Sequence, residues 1–211
     1  MSKKQLAIYG AGGLGRELRV WMGRIPDYEF IGFFDDGLPA GSVVDGCQVI
    51  GGIDSIKTFK DLYIVIAVGD AQVRKTIASQ LTSYSSLRFP VVIHPKAIIE
   101  DPDSVKLGEG SVITAGCVLT TGINVGRHVL INLNSTIGHD CSIGDGSCIM
   151  PGVNVSGTVQ IGKNVLIGTG ASILNNLSIG DNSKIGAGAV VLNSIRANCT
   201  AVGIPAKVIS S

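Results

Sequence analysis

Ile137-Gly138-His139-Asp140-Cys141-Ser142-Ile143-Gly144-Asp145-Gly146-Ser147-Cys148-Ile149 sets isoleucine at every sixth position. Followed outward, the spacing runs unbroken from Leu107 to Val191, and each of its fifteen positions is Leu, Ile or Val. A period of six matches neither the 3.6 of a helix nor the simple alternation of a strand. It fits a chain that turns a corner every six residues and returns each anchor to one interior edge, the hexapeptide pattern of a parallel β-helix. Four residues after each anchor stands a small or aliphatic residue, Ser111, Cys117, Ile123 and Val129 among them, as a narrow shaft requires. Glycine follows many anchors (Gly108, Gly126, Gly138, Gly144), and its tolerance of positive φ and close backbone approach suits a corner. Three hexads to a triangular coil place residues 18 apart above one another, so the anchors supply about five stacked coils.

The chain's 211 residues allow one large domain or two small ones. Its 29 glycines and scarce aromatics suit a thin solenoid better than a bulky core. A formal charge of +1 gives no electrostatic ground for a nucleic acid or an anionic membrane as partner. The cysteines (Cys47, Cys117, Cys141, Cys148, Cys199) are odd in number and form no Cys-x-x-Cys pair, which reads as buried, reduced thiols of the cytosol. The N-terminal apolar run Leu6-Ala7-Ile8-Tyr9 is too short for a signal peptide, and no segment approaches a membrane span; the expectation is a soluble cytoplasmic protein.

Residues 1–94 read as a separate domain from the prism, 95–211. A buried strand over 5–9 leads into Gly10-Ala11-Gly12-Gly13-Leu14-Gly15 and a helix to about Met22. Glycines between strand and helix let backbone amides approach a phosphate. A second strand, Glu29 to Phe34, ends in Asp35-Asp36, where an acid accepts hydrogen bonds from a ribose. A third, Leu62 to Val68, ends in Gly69-Asp70 before a helix over 72–81. Phe89 to Ile93 reads as a short strand, and His94-Pro95 begins the crossing to the prism. A full dinucleotide fold needs two such halves and only one fits, which favours a half-Rossmann-like βαβ unit holding one nucleotide over an oxidoreductase. The plainer alternative, glycines that only close a turn, leaves Asp35-Asp36 without an explanation.

The hexads, with the closing Gly203-Ile204-Pro205-Ala206-Lys207, resemble the hexapeptide-repeat acyltransferases, whose prism is a left-handed β-helix. The two-part plan resembles the sialic acid O-acetyltransferase and bacillosamine-pathway N-acetyltransferase family over nearly the whole chain. The resemblance implies an N-terminal domain for a nucleotide-linked sugar, a prism for acetyl-coenzyme A (acetyl-CoA), and a homotrimer with the coenzyme groove between subunits. Carried over by position, Gly12, Gly13 and Leu14 lie along the phosphates and Asp35 and Asp36 meet base and ribose. Gly69 and Asp70 close the far side. Uracil, thymine and guanine are all compatible with the acidic pair.

Acetyl transfer from a thioester needs a nucleophile, a base for its proton and a group to steady the oxyanion. Of three histidines, His94 reads as structural at the junction and His128 as a solvated turn residue. From chemistry alone His139 is equally a surface imidazole. The resemblance makes it the general base that takes the proton of the sugar amine, with Asp140 orienting the ring and Asn132 near the acceptor sugar. The stacking rule sets Gly157 over His139, leaving room for a thioester arm; by resemblance Gly157 is a coenzyme contact. Asn175 and Asn193 follow along the same wall. By resemblance again, Thr169 and Ala187 line the pantetheine groove and Lys207 faces the coenzyme's phosphates, a solvated lysine being the alternative. Relatives carry a second histidine nine residues after the base; Cys148 stands there, a weaker hydrogen-bond partner for the coenzyme. A Cys acyl-enzyme finds no support in its surroundings.

The expected reaction is N-acetylation of a nucleotide-linked 4-amino-4,6-dideoxy sugar for surface glycans such as lipopolysaccharide O-antigen. Alternatives are O-acetylation of a sialic-acid-like sugar, a non-catalytic solenoid, and a zinc hydrolyase of the γ-carbonic-anhydrase kind. The last needs three gathered histidines, and His128 and His139 do not share an 18-residue register, so no metal is expected.

Overall fold

The computed structural model describes residues 3–23 and 25–210. The chain divides into two compact units, Met1–Gly69 with Val73–Pro90, and Asp70–Gln72 with Val91–Ser211. In the first, β1 (Lys4–Tyr9), α1 (Gly13–Met22), β2 (Tyr28–Phe34), β3 (Val43–Val44), β4 (Cys47–Gly51), β5 (Leu62–Ile66), all of α2 (Ala71–Leu81) but its first two residues, and β6 (Leu87–Arg88) follow in order. The strands form one sheet, β3-β4-β2-β1-β5-β6, parallel except for the β3–β4 hairpin. Leu6 to Tyr9 is buried throughout, as an apolar run in a parallel sheet covered on both faces must be.

Helix α1 buries Gly15, Leu18 and Met22, a stripe at helical spacing. A Cβ on Gly15 would stand 1.9 Å from the Gly10 carbonyl oxygen, so glycine alone lets this helix sit on the turn before it. The hairpin had no counterpart in the sequence reading. Its signal is Asp45-Gly46 between Val43-Val44 and Cys47-Gln48, and both turn residues take positive φ (47° and 75°), as a two-residue type I′ turn demands. Arg74 of α2 is fully buried and donates to the carbonyls of Ile66 and Val68, pinning the end of β5. The expected strand over 89–93 is corrected: Leu87–Arg88 joins this sheet, while Val92–Ile93 is the first strand of the second unit.

That second unit is a prism of three parallel sheets built from two-residue strands. Partners lie 18 apart through the body, as Val112 with Leu130, Thr136 with Asn154 and Ser142 with Gln160. The spacing changes at both ends. Val92 pairs with Val112 across 20 residues, and Lys184 with Thr200 across 16. A final antiparallel strand, Lys207–Ser210, closes one sheet.

The corners correct one expectation. Every sixth residue from Gly110 to Gly188 has positive φ, and it stands three places after the anchor, not one. Glycine alternates there with His128, Asn134, Asp140, Thr158, Asn164, Asn176 and Asn182, mostly side chains that tolerate this region. Glycine directly after the anchor serves close approach instead: a Cβ on Gly144 would lie 2.6 Å from the carbonyl oxygen of Gly162 in the next coil.

Polar residues inside the shaft complete the backbone's hydrogen bonding. Ser147 Oγ donates to the Gly162 carbonyl (2.8 Å) and accepts from the Val165 amide (3.0 Å). Ser111 bridges Gly126 and Val129 in the same way, and Cys141 bridges Ser156 and Val159 with its thiol. Each fills a gap that the turning backbone cannot close itself. Ser147→Ala should therefore lower unfolding free energy by about 1–3 kcal/mol in urea titrations, and Ser147→Cys by less. Equal losses would contradict the bridging role.

Candidate active site

In the first unit the carboxyl ends of β1 and β2 bring the glycine turn and the acidic pair together. Asp35 accepts the Ala11 amide on Oδ2 and the Gly37 amide on Oδ1, both at 2.8 Å. Asp36 accepts the Ile53 amide at 2.8 Å and the Tyr9 hydroxyl. Burial, then the hydrogen bond and charge of Asp36, raise Tyr9 far above the ordinary tyrosine range and keep it a donor. Asp35 thus ties the glycine turn to the end of β2. Gly12 caps α1 with no side-chain hydrogen bond, and neither Gly12 nor Gly13 has a neighbour where a side chain would stand. The positive end of this ten-residue helix thus carries no side chain and no side-chain cap at Gly12, an arrangement that suits a phosphate. Gly69 is similarly open, while Asp70 accepts the Gln72 amide at 2.9 Å.

In the prism, His139 Nδ1 and Asp140 Oδ2 are 2.8 Å apart. Neighbouring residues of an extended strand point oppositely, but Asp140 has φ 58°, and that left-handed turn bends its carboxylate back to the ring. With Nδ1–H donating to Asp140, the lone pair of Nε2 remains for a proton. Both side chains are largely exposed, at 61% and 66%. Gly157 does lie over His139: a Cβ there would stand 2.4 Å from Nε2. The space that glycine leaves is occupied by the imidazole, however, and not by an open slot for a thioester arm.

The remaining prism candidates are distributed over different edges. The left-handed residues define three: one through His128 and Asn164, one through Asn134 and Gly170, one through Asp140 and Thr158. His139 and Gly157 lie on the third. Thr169 and Ala187 are exposed on the second, where the Gly188 amide donates to the Thr169 carbonyl at 2.8 Å. Asn132 opens that same second edge, buried, its side-chain oxygen accepting from Leu133 N at 2.8 Å and Thr114 Oγ1 at 3.4 Å. Asn175 is exposed one coil beyond Gly157, whereas Asn193 falls where the last coil loses two residues. Lys207 is exposed on the closing strand. Cys148 is fully buried with its sulfur 3.9 Å from the Gly146 carbonyl, so it offers no surface to a coenzyme or an acyl group.

His128 departs from its expected solvated position. It is 7% exposed, its ring folded beneath Gly110, where a Cβ would stand 2.3 Å from Nδ1. His94 accepts the Lys96 amide on Nδ1 at 3.0 Å, a turn-stabilising bond. Burial pushes the Cys117 and Cys141 thiols upward, which leaves them inert. Among the described residues no group of three or more His, Cys, Asp or Glu side chains is placed to hold a metal ion, and no helix is long and apolar enough to cross a membrane.

Comparison with known proteins bears on both units. Residues 5–81 match the family model described as PglD N-terminal domain, residues 158–193 that of the bacterial transferase hexapeptide (six repeats), and residues 96–121 the hexapeptide repeat of succinyl-transferase. GDP-perosamine N-acetyltransferase of Escherichia coli O157:H7 is 32% identical over 144 residues, 64% of this chain and 62% of that protein's length. The acetyltransferase domain of PglB from Neisseria gonorrhoeae FA1090, solved with acetyl coenzyme A, is 34% identical with a TM-score of 0.89, covering 99% of this chain and 100% of its own. PerB from Caulobacter crescentus, solved with CoA and GDP-perosamine, is 26% identical with a TM-score of 0.89, covering 98% of each chain. The architecture is thus a Rossmann-like N-terminal unit followed by the left-handed β-helix of hexapeptide-repeat enzymes. By whole-length likeness to the PglB domain, the chain belongs to the sugar N-acetyltransferase family.

Proposed function

We propose that the chain moves acetyl from acetyl-CoA to the amine of a nucleotide-linked 4-amino-4,6-dideoxy sugar, with His139 as general base. The observation that carries this is the His139–Asp140 pair at 2.8 Å, on a prism matched along its whole length by an acetyltransferase domain solved with acetyl coenzyme A. The sugar amine attacks the thioester carbonyl, forming the C–N bond. Nε2 of His139 takes the nitrogen's proton while Asp140 steadies the imidazolium through Nδ1–H. The C–S bond then breaks, and the proton passes to the departing thiolate.

The nucleotide's phosphates bind at the amides of Gly12, Gly13 and Leu14, with Asp35, Asp36, Gly69 and Asp70 around base and ribose. The first unit thus serves the sugar nucleotide and the prism the coenzyme. Thr169, Ala187 and Asn132 occupy a different prism edge from His139 and Gly157, so one coenzyme lying along one edge meets only one set. A homotrimer, in which one copy's His139 edge faces the next copy's Thr169 edge, unites them, with Lys207 near the coenzyme's phosphates. Both substrates are charged metabolites of the cytoplasm, where the reaction belongs.

GDP-perosamine N-acetyltransferase of Escherichia coli O157:H7 and the perosamine N-acetyltransferase of Caulobacter crescentus both carry the name of enzymes that act on an amine, which favours an amine over a hydroxyl acceptor. The test is a panel of UDP-, dTDP- and GDP-linked 4-amino sugars beside their 4-hydroxy counterparts, each incubated with acetyl-CoA and followed by thiol release. Turnover is expected with a 4-amino sugar alone. Equal kcat/KM on the hydroxyl series would overturn the amine assignment, and no turnover on either would overturn the reaction class.

A further inference from the structure

The His139–Asp140 pair has a glycine against it from each neighbouring coil. Gly122 stands 18 residues before Asp140, and Gly157 stands 18 after His139. A Cβ on Gly122 would lie 2.6 Å from Asp140 Oδ1, and one on Gly157 would lie 2.4 Å from Nε2 and 2.6 Å from Cε1 of His139. Either methyl would displace its neighbour, because real side chains do not approach so closely. The backbone on both sides is fixed. The Asp140 amide donates to the Thr121 carbonyl at 3.0 Å, and the Thr158 amide to the His139 carbonyl at 2.7 Å. Below, Asp101 accepts from Ser104 (2.6 Å) and Thr121 (2.7 Å), and Ser104 Oγ accepts the Gly122 amide at 2.9 Å. The floor under the carboxylate is therefore hydrogen-bonded in place, while the two acting side chains, mostly exposed, are restrained among the described residues by each other and by these glycines.

We infer that Gly122 and Gly157 are positioning residues: they seat the carboxylate of Asp140 and the imidazole of His139 so that Nδ1 meets the acid and Nε2 is aimed at the acceptor amine. The inference rests on reading His139 as the base. It assigns Gly157 a part distinct from a coenzyme contact, and it brings in Gly122, which no sequence motif marks. An added methyl at either glycine has an inexpensive escape, since the exposed ring or carboxylate swings into solvent. The fold survives and the aim is lost. Gly157 has no left-handed φ, so alanine is conformationally acceptable there; Gly122, at φ 67°, is strained by alanine as well.

Gly157→Ala is expected to lower kcat by about 10²-fold, the usual consequence of misplacing a catalytic group by an ångström. Acetyl-CoA affinity, measured by calorimetry, should not change. Preserved kcat with weakened coenzyme binding would make Gly157 a coenzyme contact and overturn the inference. Gly122 is tested by a double-mutant cycle, which separates displacement of the acid from backbone strain. Gly122→Ala should reduce kcat in the native protein and have no further effect when Asp140→Ala is already present. Losses that multiply would show a merely structural role. His139→Ala separates this inference from the reading beneath it. Full activity in His139→Ala removes the base assignment itself, whereas loss in that variant with full kcat in Gly157→Ala and Gly122→Ala removes only the seats.

Discussion

Replacing His139 with glutamine should reduce kcat by about 10²–10⁴-fold, the usual contribution of a positioned general base. Glutamine keeps much of the size and polarity of the imidazole but cannot take up a proton. The side chain lies mostly outside the prism, and among the described residues its only hydrogen-bonded neighbour is the equally exposed Asp140, so no buried group loses a partner. The melting temperature should consequently stay close to that of the native protein, and KM for acetyl-CoA should move far less than kcat. A fall in kcat and kcat/KM together marks an interaction made in the transition state. Asp140→Asn should cost less, because the base survives and only its orientation and the support of its charge are weakened. Steady-state thiol release measures kcat and KM, and a thermal melt measures the stability. A His139→Gln enzyme within about tenfold of native kcat would remove His139 from the chemistry.

The hexad period was legible because each anchor returns to a shaft too narrow for anything but aliphatic or small residues, and Gly157 over His139 followed from it. Where the coils change length the count fails. Ile93 and Ile99 are anchors too, but their coil is two residues longer, and the last coil is two shorter, which moves Asn193 out of line. Such irregular turns leave no trace in a fixed period. The separation of Thr169 from His139 was in principle readable, since they stand the same two places after an anchor but 30 residues apart, not a multiple of 18. The burial of His128 beneath Gly110 obeys the same arithmetic, since the two stand 18 residues apart. The closure of Asp140 onto His139 was not readable, because it depends on the sign of one φ that either glycine or a polar residue can adopt. In the first unit, Asp35 and Asp36 stood out by position, but their use in holding backbone amides and the Tyr9 hydroxyl needed coordinates.

Ile149→Asp should prevent the prism from folding near neutral pH, the largest stability effect expected of a single side chain here. Ile149 is fully buried in the middle of the shaft, stacked between Ile131 and Ile167, which are also fully buried. A carboxylate placed there finds no spare donor: the nearest polar shaft residue in sequence, Ser147, already spends its hydroxyl on Gly162 and Val165. An unpaired buried charge costs several kcal/mol on top of the lost apolar burial, against a total stability of about 5–15 kcal/mol for a domain. A globular core can shift to let a misplaced charge reach water. A solenoid cannot, because each coil is held by the ladders above and below, and breaking the central coil leaves two stubs that lack neighbours. The sign of the pH dependence follows. Burial raises the carboxyl's pKa in the folded state, so the penalty is smallest below the unfolded-state value of about 4 and grows as pH rises through the folded one. Ile149→Val removes a single methylene and should cost only about 0.5–1.5 kcal/mol. Circular-dichroism melts of the two variants across pH 4–8 distinguish these outcomes, and a native-like melt of Ile149→Asp at pH 7 would mean that water reaches the shaft.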